Sequence, residues 1–277
     1  MSFDLCSTFA PRRNTRLASI AIMGVLALAT VQLSPMRAGA QEDAYAVKRD
    51  AHASTSGITS IRIQNGSGRL VVTGKAGASS LSATAVVRGS SQDIVNSVKL
   101  ITERDGNALT VRADGPDRGW FGGGGWSADL TVEVPANIRL DVSDGSGGAR
   151  LQNVGALTMR SGSGGVHIDG VTGNADVKSG SGGAELRNVR GDVVLSTGSG
   201  GITVSGVTGS VDVRSAGSGG VNVSQVTGSL HLGSIGSGSL TADNIGGDLT
   251  VDHKGSGSVS YTNVKGHVDV PSRGRRW

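Results

Sequence analysis

The sequence predicts an all-β fold: a right-handed parallel β-helix (solenoid) of about seven 17–19-residue coils with a β-rich N-terminal cap. Three observations predict it. Glycine is abundant, with 46 residues, while aromatic residues make up only 3% of the chain. The triplet Gly-Ser-Gly recurs at regular intervals, and aliphatic residues occupy fixed places between the triplets. Such a chain favours tight turns and small β-branched side chains over a core built on large aromatic anchors.

The repeat is defined by the Gly-Ser-Gly triplet, which recurs with spacings of 17, 18, 18, 19, 19 and 19 residues. It begins at Gly145, Gly162, Gly180, Gly198, Gly217, Gly236 and Gly255. In the coil from Gly162, Val166 and Ile168 alternate with polar residues, and Val171 follows a turn. Ala175 and Val177 then form a second short alternating segment. Such short strands bury their apolar stripe only by pairing with the next coil, which gives parallel ladders about 4.8 Å apart.

Two further columns of the repeat predict turns. One lies just before the central aliphatic residue and contains Asn153, Gly170, Asn188, Gly206, Gln225, Asn244 and Asn263. Because Gly and Asn tolerate positive φ, this column predicts a left-handed turn. The other column is always glycine and contains Gly173, Gly191, Gly209, Gly228, Gly247 and Gly266. Here the sequence predicts a backbone position with no room, or no allowed φ, for a Cβ atom.

The N-terminus has the pattern of an export signal. Arg12, Arg13 and Arg16 precede the apolar segment Leu17–Leu33, and an Ala-Gly-Ala cleavage site ends at Ala40. The alternative is an uncleaved membrane anchor, for which 17 residues is near the short limit. We therefore interpret residues 1–40 as a signal peptide, and expect a periplasmic, cell-surface or secreted protein with no transmembrane span in the mature chain.

Removal of the signal peptide changes the chemistry that the chain can support. The formal charge of the whole chain is +4, but 22 basic and 21 acidic residues remain after residue 40. No basic stripe with interleaved aromatic residues remains, which argues against nucleic-acid binding. The single cysteine, Cys6, is lost with the signal peptide, which excludes disulfides and cysteine-based metal sites. We expect no cofactor and no metal.

The rest of the chain divides into four parts by pattern. Residues 41–56 are polar and predict a flexible linker, and residues 57–135 predict the β-rich N-terminal cap that shields the first coil. Residues 136–271 carry the solenoid repeats. Residues 272–277 form a basic tail that, with the preceding proline, is expected to blunt the last strand edge.

One segment of the chain resembles a known family. Residues 128–173 read ADLTVEVPANIRLDVSDGSGGARLQNVGALTMRSGSGGVHIDGVTG. This segment closely resembles the bacterial putative-adhesin family, a domain of unknown function with a β-helix repeat. The resemblance extends over Ile58–Val270, and Val134-Pro135 with the following Gly-Ser-Gly-Gly repeats is its most specific part. It implies a β-helix, a surface or periplasmic location, and no known catalytic residues.

The candidate contact site is the loop of Trp120, Phe121 and Trp126, in which four glycines separate the aromatic residues. The loop either exposes an aromatic tip that contacts a partner or folds back and plugs the end of the solenoid. Outward-facing charged residues offer a second candidate. His167 and Glu185 share a column in adjacent coils, and carbohydrate-cleaving enzymes use such groups when two carboxylates meet at a fixed gap.

The leading functional prediction is a non-catalytic exported β-solenoid, an adhesin, envelope interaction or scaffold protein of unknown ligand. Its partner would be a cell-surface glycan or an envelope protein. Two alternatives remain open. One is a carbohydrate-active enzyme built on a β-helix, and the other is an envelope-stress sensor that binds a partner through the Trp/Gly loop.

Overall fold

The computed structural model describes residues 45–116 and 125–271, which contain twenty-two strands and one short helix. Their bounds are β1 Tyr45–Ser54, β2 Ser60–Asn65, β3 Leu70–Lys75, β4 Ser80–Gly89, α1 Gln92–Ser97, β5 Lys99–Asp105, β6 Ala108–Asp114, β7 Trp126–Pro135, β8 Arg139–Asp144, β9 Ala149–Val154, β10 Leu157–Ser161, β11 Val166–Val171, β12 Ala175–Ser179, β13 Ala184–Val189, β14 Val193–Thr197, β15 Ile202–Val207, β16 Val211–Ala216, β17 Val221–Val226, β18 Leu230–Ile235, β19 Leu240–Ile245, β20 Leu249–Lys254, β21 Val259–Val264 and β22 Val268–Asp269. No helix among these residues has the length and apolar character needed to cross a bilayer.

The strands form two eleven-stranded sheets. Sheet A has the order β1-β4-β7-β3-β9-β11-β13-β15-β17-β19-β21, and sheet B has the order β22-β20-β18-β16-β14-β12-β10-β8-β2-β6-β5. From β8 onward the chain alternates between the sheets, and each strand pairs in parallel with its equivalent in the next coil. Val166 of β11, for example, lies opposite Ala184 of β13. The predicted β-solenoid of about seven turns is confirmed.

The core is a stack of aliphatic side chains between the two sheets. In the coil from Gly162, the five predicted inward residues are at most 2% exposed. A sixth inward column, which the sequence pattern did not reveal, lies just before each triplet. It contains Asn65, Asp144, Ser161, Ser179, Thr197, Ala216 and Ile235. The hydroxyls of Ser161, Ser179 and Thr197 each donate to the carbonyl oxygen three residues later, at 2.6–3.0 Å. The buried hydroxyls are thereby satisfied.

The two turn columns have different physical causes. All seven residues of the first column have positive φ, from 53° at Asn263 to 80° at Gly170, so the predicted left-handed turn is confirmed. At the invariant glycines, a side chain is excluded because there is no room for a Cβ atom. A Cβ added to Gly191 would lie 2.7 Å from the backbone of Gly173, and one added to Gly209 would lie 2.5 Å from the carbonyl oxygen of Gly191. Real Cβ contacts are essentially never that short.

The N-terminal region differs from the predicted cap over residues 57–135. Strands β2 and β3 form a true coil, which pairs in parallel with β8 and β9 on one side and with β6 and β7 on the other. The coil β6–β7 therefore lies outside β2–β3, although it follows them in sequence. The antiparallel strands β1, β4 and β5 form the actual cap. Sequence spacing could not show this order, because only long-range pairing sets it.

The flexible linker predicted for residues 41–56 is wrong over most of its length. Strand β1 pairs with β4 along all ten of its residues, and Val47 and Ala51 are buried. The guanidinium group of Arg49 donates to the carbonyl oxygens of Val95, Asn96 and Val98 at 3.3–3.4 Å, at the C-terminal end of α1. The polar composition misled the prediction because this edge strand buries only a few small side chains. Residues 1–40 and the tail 272–277 lie outside the described residues.

Replacing Gly219 with alanine is expected to destabilise the solenoid by at least about 2 kcal/mol, because the new methyl group would meet backbone of the preceding coil. Its Cβ would lie 2.3 Å from the carbonyl oxygen of Gly200. The adjacent Gly220 is a matched control, since its Cβ would have no neighbour closer than 3.7 Å. Gly220→Ala should be neutral or stabilise by up to about 1 kcal/mol. Urea unfolding of the two variants makes the comparison, and equal midpoints would contradict the packing argument.

Candidate functional site

The outward faces of both sheets are columns of stacked polar side chains, because alternate residues of each strand point away from the core. On sheet A, one column begins with Arg150, His167 and Glu185 and continues through short polar residues. The neighbouring column begins with Gln152, Asp169 and Arg187. Long charged side chains are thus gathered on three consecutive coils. Later coils of the same face carry Thr203, Ser205, Asn222, Ser224 and Thr241, together with the shorter charged residue Asp243.

The long side chains surround a shallow groove of about 240 Å³. The predicted neighbours His167 and Glu185 do meet: Nδ1 of His167 lies 2.8 Å from Oε2 of Glu185. Glu185 also forms an ion pair with Arg187. The hydrogen bond with His167, followed by the charges of Arg187 and His167, lowers the pKa of the Glu185 carboxyl. Glu185 is therefore an ionised hydrogen-bond acceptor, the opposite of the raised-pKa acid that glycoside cleavage requires.

A second ion cluster lies on sheet B. Nδ1 of His231 lies 2.9 Å from Oδ1 of Asp212, and Nε2 lies 3.0 Å from Oδ2 of Asp252. Hydrogen bonding to Asp212, assisted by Asp252, raises the pKa of His231. Asp176 and Asp212 share a column with Val194 between them, two coils apart, or about 10 Å at the ladder spacing. Within residues 45–116 and 125–271, no group of three or more His, Cys, Asp or Glu is arranged to hold a metal ion.

A larger groove, of about 630 Å³, follows the left-handed turn column across the last three coils. The side-chain amides of Gln225, Asn244 and Asn263 line it, together with Thr227 and Lys265. The sequence pattern predicted only a turn for this column. Toward the C-terminus this column contains Gln or Asn in place of glycine. That preference was the one sequence feature that could have indicated the groove, because it places side-chain amides along it.

The structure gives Trp126 a packing role at the base of the predicted contact loop. Its indole nitrogen donates to the carbonyl oxygen of Pro116 at 3.0 Å, and its ring lies so close to Gly115 that a Cβ there would be 2.9 Å away. The side chain is partly buried against the core. Trp120 and Phe121 lie outside the described residues, so their role as contact residues stays a prediction.

A buried polar pair connects the coil β2–β3 to the coil β8–β9. The side-chain nitrogen of Asn65 donates to Oδ1 of Asp144 at 2.9 Å and to the carbonyl oxygen of Gly68 at 2.8 Å. Both residues are 4% exposed, and Oδ2 of Asp144 and Oδ1 of Asn65 are buried without a partner. Burial raises the pKa of Asp144 above its usual range. Ionisation of Asp144 at this corner therefore destabilises the folded protein, because the carboxylate is buried and one of its oxygens has no partner.

Comparison with known families identifies the group to which this solenoid belongs. Residues 58–273 match the family model described as Toastrack DUF4097. The chain belongs to the Toastrack DUF4097 family. The match covers both the non-sequential N-terminal coils and the regular repeats, and it agrees with the resemblance drawn from the Gly-Ser-Gly-Gly segment. No functionally curated protein matches the chain.

Several solved structures are similar to parts of this fold. A putative adhesin from Bacteroides fragilis is 15% identical, covers 83% of this chain and 99% of its own, and superposes with a TM-score of 0.42. A putative cell adhesion protein from Clostridium sporogenes is 12% identical over 80% of this chain and 100% of its own, with a TM-score of 0.29. A putative lipid binding protein from Parabacteroides distasonis is 13% identical over 82% and 98%, with a TM-score of 0.39.

Replacing Asp144 with asparagine is expected to stabilise the protein at neutral pH by about 1–3 kcal/mol, because it removes a buried charge with an unpartnered oxygen. Since the folded-state pKa is raised, folded protein binds the proton more tightly than unfolded protein does. The wild type should therefore lose stability relative to the variant as pH rises from about 4. Urea unfolding between pH 3 and pH 8 measures this difference.

A matched control for that experiment is Asp176→Asn, which changes an outward-facing carboxylate on sheet B. It should alter the free energy of unfolding by no more than about 0.5 kcal/mol. A wild type that gains stability relative to Asp144→Asn with rising pH would show that Asp144 is stabilised as an anion, against this interpretation.

Proposed function

We propose that this protein is a non-catalytic, exported interaction or scaffold protein of the cell envelope. The observation that carries the proposal is the pairing of outward charges, both within single strands and between neighbouring coils. Glu185 is paired with His167 and Arg187, and Asp212 lies between Arg214 and His231. Charges neutralised in this way give a rigid, polar, hydrogen-bonding surface rather than a reactive centre.

The competing enzyme reading requires two carboxylates that face one substrate at about 5–9.5 Å. Asp176 and Asp212 lie two coils apart, slightly beyond that range, with the apolar Val194 between them. Neither of the two grooves described above is lined by this pair. The two carboxylates that do line the sheet A groove already have partners, since Asp169 accepts from the side-chain amide of Asn188 and Glu185 pairs with His167 and Arg187. A flat ladder of this kind offers no means of excluding water from a reacting bond, whereas it suits contact with an extended polar partner.

Two regions of the proposed interaction protein are suited to such contact. The groove on sheet A presents the guanidinium groups of Arg150 and Arg187 beside the carboxylates of Asp169 and Glu185, and so supplies both donors and acceptors for a cell-surface glycan or an envelope protein. The Trp/Gly loop supplies aromatic residues in Trp120 and Phe121. Export through the signal peptide would bring both regions to the envelope.

The test is a glycan-array and whole-cell binding assay of the mature chain, residues 41–277. Trp120→Ala/Phe121→Ala alters the loop, while Trp126 is kept because it packs at the loop base. Arg150→Ala/His167→Ala alters the sheet A groove. The control, Arg160→Ala/Lys178→Ala, removes two cationic side chains from the outward face of sheet B. We expect one of the first two variants to weaken binding at least tenfold and the control to leave it unchanged.

Two results would count against the proposal. Absence of binding by the wild type to cells, glycans and envelope extracts would remove the interaction role. Release of reducing ends from an envelope polysaccharide, abolished by Glu185→Gln, would replace the interaction role with an enzymatic one.

A further inference from the structure

We propose that the C-terminal end of the solenoid is a self-association surface, and that it binds the same end of a second copy of this chain through β21 and β22. This inference is independent of the ligand that the outward faces contact. It rests on the exposed core, on the direction of the backbone hydrogen bonds and on the difference between the two ends of the molecule.

The last coil exposes residues that every other coil buries. Tyr261 occupies an inward column and is 48% exposed, whereas its equivalents Ala242 and Val223 are 0% and 2% exposed. The other inward residues of this coil, Val259, Val264, Val268 and Val270, are only partly buried. The end of the core is therefore an apolar surface bounded by two strands.

Among the described residues, the backbone of the last coil has hydrogen-bonding groups without partners on the side of that surface. The amide of Leu240 donates to the carbonyl oxygen of Ser258 at 2.9 Å, which fixes the alternation along β21. Because each residue of a parallel strand directs its N–H and C=O to the same side, Ser260 and Thr262 face β19. Val259 and Tyr261 therefore face away from it. In sheet B, the bond from Leu249 to His267 fixes the same alternation, so Val268 faces away from β20.

The opposite end is protected against pairing. Antiparallel strands and α1 cover it, and its edge strands carry charges that disfavour strand addition. Strand β1 contains Lys48, Arg49 and Asp50, while β5 contains Lys99 and Glu103 among others. At the C-terminal end, β21 has the uncharged sequence VSYTNV, and β22 carries the single charge of Asp269. One protected end and one open end favour a closed two-fold pair over a head-to-tail filament.

A second copy fits the open end because it presents two strand edges at the same separation, about 10 Å for packed sheets. A two-fold axis perpendicular to the solenoid makes the facing strands antiparallel, and Val259 and Tyr261 can then pair with outward backbone groups of the partner. Because each copy contributes only the end of one coil, the interface should be smaller than the roughly 1,200 Å² or more of a stable interface. The dimer should therefore be reversible and depend on concentration.

The first test is the oligomeric state of the mature chain by analytical ultracentrifugation between 1 and 500 μM. We expect a monomer–dimer equilibrium for the wild type. Tyr261→Pro removes an N–H group that β19 does not use, and it should raise the dissociation constant at least tenfold while leaving the circular dichroism spectrum unchanged. Tyr261→Val is the matched control, because it keeps the N–H group and an apolar side chain, and it should retain the dimer.

The second test locates the interface. The mature chain has no cysteine, so Ser260→Cys provides a single site for a spin label on the outward face of β21. Pairing through the C-terminal ends predicts inter-label distances below about 30 Å. Pairing through the capped ends would separate the labels by about 90 Å or more, since sheet A contains eleven strands. A monomer at every concentration, equal dissociation constants for Tyr261→Pro and Tyr261→Val, or long distances would each overturn the proposal.

Discussion

The close approach of one backbone to the next at the glycine corners is the constraint on which the whole solenoid depends. Carbonyl groups of one coil lie where a side chain of the next coil would begin, as Gly200 does beneath Gly219. The ladders on both sheets can keep their spacing only if these corners stack without side chains. The regular turns, the continuous aliphatic core and the in-register polar columns all follow from that stacking.

The sixth inward column shows how the corner changes along the molecule. In the early coils its members are polar, and all of them except the acceptor Asp144 donate to the corner itself, as Ser179 does to the carbonyl oxygen of Gly182. From β16 onward the strand contains one more residue, the ladder shifts register after Leu195, and the column becomes apolar with Ala216 and Ile235. The extra residue accounts for the change from 18- to 19-residue spacing. In these later coils an aliphatic side chain fills the corner in place of the hydrogen-bonded hydroxyl group.

The two ends of the molecule differ in how their strand edges are covered, and the two faces carry polar side chains. The N-terminal end is closed by antiparallel strands and a helix whose C-terminal carbonyls are held by Arg49. Within residues 45–116 and 125–271, nothing covers Tyr261 or the edges of β21 and β22 at the C-terminal end. The faces between them carry balanced charge pairs such as His167 with Glu185. The chain is thus a β-solenoid with polar outward faces, in agreement with its membership of the Toastrack DUF4097 family.

The sequence by itself determined the regular part of this protein. Period-two aliphatic residues, the Gly-Ser-Gly spacing and the Asn/Gly turn column are local patterns, and each specifies one place in a coil that repeats its own geometry. The tertiary structure alone decided the N-terminal order, where β6 and β7 lie outside β2 and β3, and the conversion of residues 45–54 into a paired strand. It also showed that Trp126 packs at the base of its loop. These features depend on contacts between residues far apart in sequence, and the energies of such contacts cannot be predicted from local sequence patterns.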